Sequence, residues 1–84
     1  LAPEYRAEDI RVLESRSGMS KADQATFRTA LRLTKTDVAE ACAMFGELRA
    51  ANPQNVTILF NIGLCTERLG ELDTATEFYE QALA

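Results

Sequence analysis

The sequence contains no histidine, no tryptophan and only two cysteines among its 84 residues. Without histidine it lacks the commonest general base, the commonest neutral metal ligand and the usual partner of a nucleophilic serine or cysteine. Cys42 and Cys65 are too few and too far apart for a zinc framework. We therefore expect neither an enzyme nor a bound metal or cofactor.

Basic residues are scarce in the second part of the chain. Residues 51–84 contain one, Arg68, beside five acidic residues, whereas residues 1–50 balance eight basic with eight acidic side chains. A protein that binds duplex nucleic acid presents a dominant basic patch. The net charge of −4 and its distribution therefore argue against nucleic acid as a partner.

Long apolar runs are also missing, so we expect no membrane span in this segment. At 46% hydrophobic and 26% charged residues, the composition is that of an ordinary globular domain, and the length allows one small domain. The chain begins at Leu1 and its last residue, Ala84, falls inside a helical pattern. We expect it to be a piece of a longer protein, and we predict no localisation.

The apolar spacing predicts five short helices and no strand. Ser20, Asp37 and Asn55 are N-cap residues of three of them, and Gly18 and Gly70 are C-terminal glycines. The helices are expected at 4–17, about 21–34, from 38 to the Asn-Pro-Gln-Asn segment, 56–69 and 72–83. Because every linker is short, we expect antiparallel neighbours.

From Leu59 the chain reads LFNIGLCTERLGELDTATEFYEQALA, which resembles a tetratricopeptide repeat. Leu59, Ile62 and Gly63 match the first helix of that pattern, and Thr66 departs from it because tyrosine is usual there. The remaining matches are the turn glycine Gly70, Ala75, Tyr79 and Ala82, with Pro53 where a preceding repeat would end.

The resemblance implies an all-α fold of stacked antiparallel helix hairpins, forming a right-handed superhelical (solenoid) segment. In a single helical domain over 1–84, residues 54–84 would form one repeat hairpin and 20–53 a degenerate one. Residues 1–19 would be a capping or partial-repeat helix. Gly63 is expected where one helix touches its partner's backbone, since glycine inside a helix otherwise costs about 1 kcal/mol relative to alanine. An ordinary amphipathic hairpin is the alternative, and it leaves this glycine unexplained.

The resemblance also implies a concave groove, lined mainly by first helices, that holds a partner's peptide or helix. Its candidate residues here are Thr57, Phe60, Asn61, Leu64, Glu67 and Arg68, joined by Arg28 and Arg32 from a basic stripe that continues to Lys35. The alternatives are a buried Phe60 and a stripe that is only a solvated helix face. The acidic residues of 67–80 are interpreted as solvated helix surface.

Cys42 and Cys65 each lie among apolar neighbours, and we interpret them as buried free thiols. A disulfide between the two consecutive helices is the alternative.

The sequence thus predicts a protein–protein interaction scaffold or adaptor module, with self-association open. The alternative is a structural or dimerising helical extension of a larger enzyme or envelope protein. A nucleic-acid-binding role through the basic stripe is the least favoured interpretation.

Overall fold

The computed structural model of the protein describes residues 18–84, and over that range the chain forms four α-helices and no strand. They are α1 (Lys21–Leu33), α2 (Val38–Ala51), α3 (Val56–Arg68) and α4 (Leu72–Leu83). The all-helical prediction is confirmed for these residues, and four of the five predicted helices are present within a residue or so of their expected bounds. The fifth, expected at 4–17, lies outside the described residues.

Three helices begin at the cap residues that the sequence predicts. The side chains of Ser20 and Asp37 each accept a hydrogen bond from a backbone N–H three residues later at 3.1 Å, and Asn55 accepts one at 3.0 Å. These bonds satisfy N–H groups that have no partner inside the helix. At the start of α4, Glu71 makes no such side-chain bond, so α4 begins without a side-chain cap.

Gly70 ends α3 in the left-handed backbone conformation, with φ of +83°. Its N–H donates to the carbonyl of Glu67, and the N–H of Glu71 donates to the carbonyl of Thr66, both at 3.0 Å. This pair of bonds is the Schellman arrangement, which closes a helix by satisfying its last carbonyls. The turn therefore requires a residue without a β-carbon, as the sequence predicts.

The main core lies among α1, α2 and α3. At its centre the rings of Phe27 and Phe45 meet edge to face, with centroids 5.5 Å apart and planes at 67°. The other buried members of this core are Met19, Ala30, Ala41, Leu48, Ile58, Ile62 and Cys65. From α4, the small residues Ala75 and Ala82 are buried, and Phe78 packs partly buried against this core.

Consecutive helices pack against each other along the chain. We call α1 with α2 the first hairpin, and α3 with α4 the second hairpin. The two hairpins meet where α2 packs on α3, and the guanidinium of Arg49 in α2 also lies 5.2 Å from the ring centre of Phe78 in α4. That distance is within the range of a cation–π contact.

A disulfide joins Cys42 of α2 to Cys65 of α3, with 5.7 Å between the α-carbons. The interpretation of both residues as free thiols is therefore wrong. The expected burial is found for Cys65, which lies in the core, whereas Cys42 is half-buried. The packing of α2 on α3 brings the two cysteines together within the usual separation for a disulfide, and the bond covalently links the two hairpins.

Candidate partner-binding surface

The side of α3 that faces away from the core carries the predicted groove residues. Ile58, Leu59 and Ile62 are buried, and the residues at the intervening helical positions point outward. Of the six predicted on α3, Asn61 is half-buried and the other five are exposed: Thr57, Phe60, Leu64, Glu67 and Arg68. The accessible side of α3 is thus the side that the resemblance implies.

A cleft of about 210 Å³ opens between α1 and α3. Its lining residues are Leu31 and Thr34 from α1 with Asn61, Leu64, Cys65 and Arg68 from α3. The two leucines supply apolar wall on opposite sides, while the amide and the guanidinium supply hydrogen-bond donors. The structure therefore brings three of the predicted groove residues together in one concavity.

Arg68 spans one end of this cleft. Its Nη1 donates to the carbonyl oxygen of Thr34, the C-cap of α1, at 3.0 Å. A cation is favourable there, because the C-terminus of a helix carries partial negative charge. A guanidinium has five N–H donors, so this one bond leaves others for a bound ligand while it fixes the position of the side chain.

Asn61 is held by its own helix. Its Nδ2 donates to the carbonyl oxygen of Thr57, one turn earlier, at 2.8 Å. Within residues 18–84 no group donates to the amide oxygen of Asn61. The oxygen is thus an acceptor at the edge of the cleft, on a side chain whose orientation is already set. Thr57 does not line the cleft; its carbonyl oxygen holds the Asn61 amide in place.

Phe60 and Glu67 belong to a different surface. Phe60 does not line the cleft; its ring centre lies 5.5 Å from that of Tyr79 in α4. The residue is 49% exposed, so Phe60 is not buried against its neighbouring helices among residues 18–84. Partial burial raises the pKa of the Tyr79 phenol above its ordinary value, and the carboxylate of Glu67 raises it further. The predicted groove is therefore divided between the cleft and the α3–α4 face.

Arg28 and Arg32 are exposed on α1 and do not line the cleft. Arg32 donates from Nη2 to the hydroxyl of Thr29 at 3.3 Å, a bond within α1. Leu31, which was not among the predicted groove residues, lies in the cleft wall. Its spacing of three from Arg28 places both on one face of α1, and this spacing was the signal that could have identified it.

Gly63 contacts a side chain, not the partner's backbone. A β-carbon at this position would lie 2.5 Å from Cε1 and 2.7 Å from Cδ1 of Tyr79. We expected Gly63 to contact the backbone of the neighbouring helix. That expectation is wrong, because the ring of Tyr79 occupies the space between the two helices. The physical need is the same one: a side chain on residue 63 would collide with an aromatic ring.

The other residues of the repeat pattern lie as follows. Leu59 and Ile62 are buried on α3, Ala75 and Ala82 are buried on α4, and Pro53 is exposed between α2 and α3. Thr66, where tyrosine is usual, is buried, and its hydroxyl lies 2.9 Å from the carbonyl oxygen of Ile62 and 3.0 Å from that of Gly63. The hydroxyl is thus satisfied inside α3.

Among residues 18–84 there is no group of three or more acidic, cysteine or histidine side chains placed to hold a metal ion. No helix in this part of the chain has both the length and the apolar character to cross a membrane. Comparisons of the chain with known protein families, with curated proteins and with solved structures find no match.

Proposed function

We propose that the protein is an interaction module that binds a segment of another protein in the cleft between α1 and α3, and that it performs no chemistry of its own. The observation that carries this proposal is the composition of the cleft. Two apolar walls, Leu31 and Leu64, face a space of about 210 Å³ that is bordered by Asn61 and Arg68. Apolar walls with a few fixed polar groups are typical of sites that bind and orient a ligand.

The position of the cleft in the fold supports the same proposal. In a tetratricopeptide stack, the first helices of successive hairpins line one concave surface. Here α1 and α3 are the first helices of the two hairpins, and the cleft lies between them. The contact of Gly63 with Tyr79 also gives the glycine of the pattern a packing role. We therefore propose a tetratricopeptide-like, superhelical arrangement of these hairpins.

The mechanism that we propose is preorganisation. Cys65 lies in the wall of the cleft and is covalently tied to α2, while Arg68 is held on the end of α1. A partner that enters a rigid cleft does not have to order it, which lowers the entropic cost of binding. An apolar side chain of the partner would contact Leu31 and Leu64, and Asn61 and Arg68 would fix its orientation.

The basic stripe of α1 extends the proposal to the charge of the partner. Arg28 and Arg32 are exposed on α1, which forms one wall of the cleft, and Lys35 is exposed in the turn that follows it. Their positive potential would attract an acidic segment and increase its association rate, an effect that salt screens. We therefore propose a partner peptide with an apolar anchor and acidic flanking residues.

Selection from a random-peptide display library tests this proposal. Peptides retained by the native protein should be lost on the variants Leu64→Ser and Arg68→Glu. They should be kept by Lys21→Glu, which reverses a charge at the far end of α1. Retention by Leu64→Ser and Arg68→Glu, with both variants folded by circular dichroism, would show that the cleft is not the binding site.

A further inference from the structure

A second accessible surface lies beside the cleft on α3, where α3 meets α4. We call it the outer face and define it by Val56, Phe60, Leu72, Tyr79 and Leu83. Leu83 is 88% exposed, Leu72 62% and Val56 58%. Single exposed leucines are common, whereas apolar side chains that lie side by side on a surface indicate a contact site.

The residues of the outer face are continuous across the two helices. On α4, Leu72, Tyr79 and Leu83 recur at spacings of seven and four, which places them on one side of the helix. On α3, Val56 and Phe60 are one turn apart. The ring pair of Phe60 and Tyr79, with centres 5.5 Å apart, joins the two rows. The outer face is therefore a single apolar stripe along the seam of the second hairpin.

One edge of this stripe is acidic. Asp73, Glu77 and Glu80 are exposed on α4, and Glu71 is exposed at its start. No lysine or arginine occurs after Arg68, so nothing on α4 balances these carboxylates. On α3, Glu67 lies close enough to Tyr79 to raise the pKa of its phenol. The outer face thus combines an apolar stripe with an edge of carboxylates that no basic residue of α4 balances.

We propose that the outer face binds an amphipathic helix of a partner protein, with an apolar stripe flanked by lysine or arginine. A helix is the partner that fits, because the seam between two packed helices accepts the apolar ridge of a third. Basic flanking residues follow from the acidic edge by charge complementarity. A second copy of this face is disfavoured, since it would bring two sets of carboxylates together without a cation.

The outer face and the cleft use different residues, so the two binding activities can be tested separately. The probe is a synthetic peptide of about 18 residues, long enough for five helical turns, with leucines at helical spacing and lysines on both flanks. A matched peptide carries glutamate in place of every lysine. Titration calorimetry with the whole 84-residue chain should show the lysine peptide binding at least about tenfold more tightly, with an affinity that falls as salt is added.

Substitutions at the exposed leucines then locate the binding. The double variant Leu72→Ser/Leu83→Ser should weaken the lysine peptide by about tenfold or more, because it removes apolar contact area without touching the core. The variant Asp73→Lys/Glu80→Lys should weaken the lysine peptide and strengthen the glutamate peptide. Leu31→Ser, in the α1 wall of the cleft, should leave both affinities unchanged.

Several results would overturn the proposal. Equal affinity for the two peptides would show that the acidic edge does not select a basic partner. Absence of binding to either would show that the outer face does not bind an amphipathic helix. Loss of binding on Leu31→Ser but not on Leu72→Ser/Leu83→Ser would move the site to the cleft. A dimer in sedimentation, dissociated by Leu72→Ser/Leu83→Ser, would assign the outer face to a second copy. None of these results depends on the outcome of peptide selection at the cleft.

Discussion

Two aromatic pairs in this molecule have the same separation and opposite surroundings. Phe27 and Phe45 in the first hairpin, and Phe60 and Tyr79 in the second, each have ring centres 5.5 Å apart. Phe45 is 0% exposed, whereas Phe60 is 49% exposed. The same contact therefore supports the fold in one hairpin and forms accessible surface in the other.

The difference follows from how many helices surround each pair. The rings of Phe27 and Phe45 lie in a core to which α1, α2 and α3 all contribute. Among residues 18–84, the pair of Phe60 and Tyr79 is formed by α3 and α4, and α4 contributes the buried Ala75 and Ala82 and the partly buried Phe78 to the interior. The ring of Phe60 therefore stays accessible to a partner.

Truncation of a phenylalanine in each pair should give the largest contrast. Phe45→Ala should lower the free energy of unfolding by about 3–5 kcal/mol, because it leaves a cavity in the core. Phe60→Ala, at a half-exposed site, should lower it by about 1 kcal/mol. Urea denaturation followed by circular dichroism measures both. Equal losses would mean that the second pair is as enclosed as the first.

The disulfide tests how strongly the two hairpins depend on each other. It joins residues 23 positions apart, and closing a loop of that size stabilises a fold by roughly 3 kcal/mol in the chain-entropy account. Adding dithiothreitol should therefore lower the unfolding free energy of the native protein by roughly that amount. The variant Cys42→Ala/Cys65→Ala should not respond to the reductant. An unchanged native protein would show that the bond contributes nothing to stability.

The two helical glycines should respond in opposite directions to the same change. Gly63→Leu should lower the unfolding free energy by about 1–3 kcal/mol, because the new side chain would displace the Tyr79 ring. A β-carbon added at Gly46, in α2, would meet no atom within 4 Å. Gly46→Leu should therefore be neutral or stabilising by up to about 1 kcal/mol, since leucine favours a helix more than glycine.

Tyr79 provides the internal check on that comparison. Adding Tyr79→Ala to the Gly63→Leu variant should recover part of the lost stability, because it removes the ring that residue 63 meets. The unfolding free energies of the two single variants and the double variant are compared. If the double variant loses as much as the two single variants together, the close contact is not the reason for glycine at this position.

The smallest expected effect is at the N-termini of α2 and α4, the second helix of each hairpin. Asp37→Ala should cost about 0.5–2 kcal/mol, because the carboxylate of Asp37 caps α2 at 3.1 Å. Glu71→Ala should change the unfolding free energy by no more than about 0.5 kcal/mol, since Glu71 makes no capping bond at α4. A comparable loss for both variants would contradict the assignment of a side-chain cap to α2 and none to α4.

Local chemistry explains why so much of the fold was predictable. Cap residues such as Ser20, Asp37 and Asn55 act through neighbours three positions away, and Gly70 acts within its own turn. These interactions are visible in the sequence because both partners are close along the chain. Four helices were therefore placed nearly to the residue.

The features that were missed depend on residues distant along the chain. The tyrosine ring against Gly63, and the disulfide between Cys42 and Cys65, arise only when helices are packed in a particular rotation. The division of the groove residues into a cleft and an outer face has the same origin. A helical spacing shows that Asn61 and Leu64 share a side of α3, but not that Leu31 of α1 lies opposite.

The central claim, that the cleft between α1 and α3 binds a partner, is tested most directly by nuclear magnetic resonance. A peptide from the display selection would be titrated into the isotope-labelled protein. We predict shifts of the methyl signals of Leu31 and Leu64 and of the Asn61 side-chain amide, with the ring signals of Phe45 unchanged. Saturable binding that leaves the Leu31, Leu64 and Asn61 signals unmoved would contradict the claim.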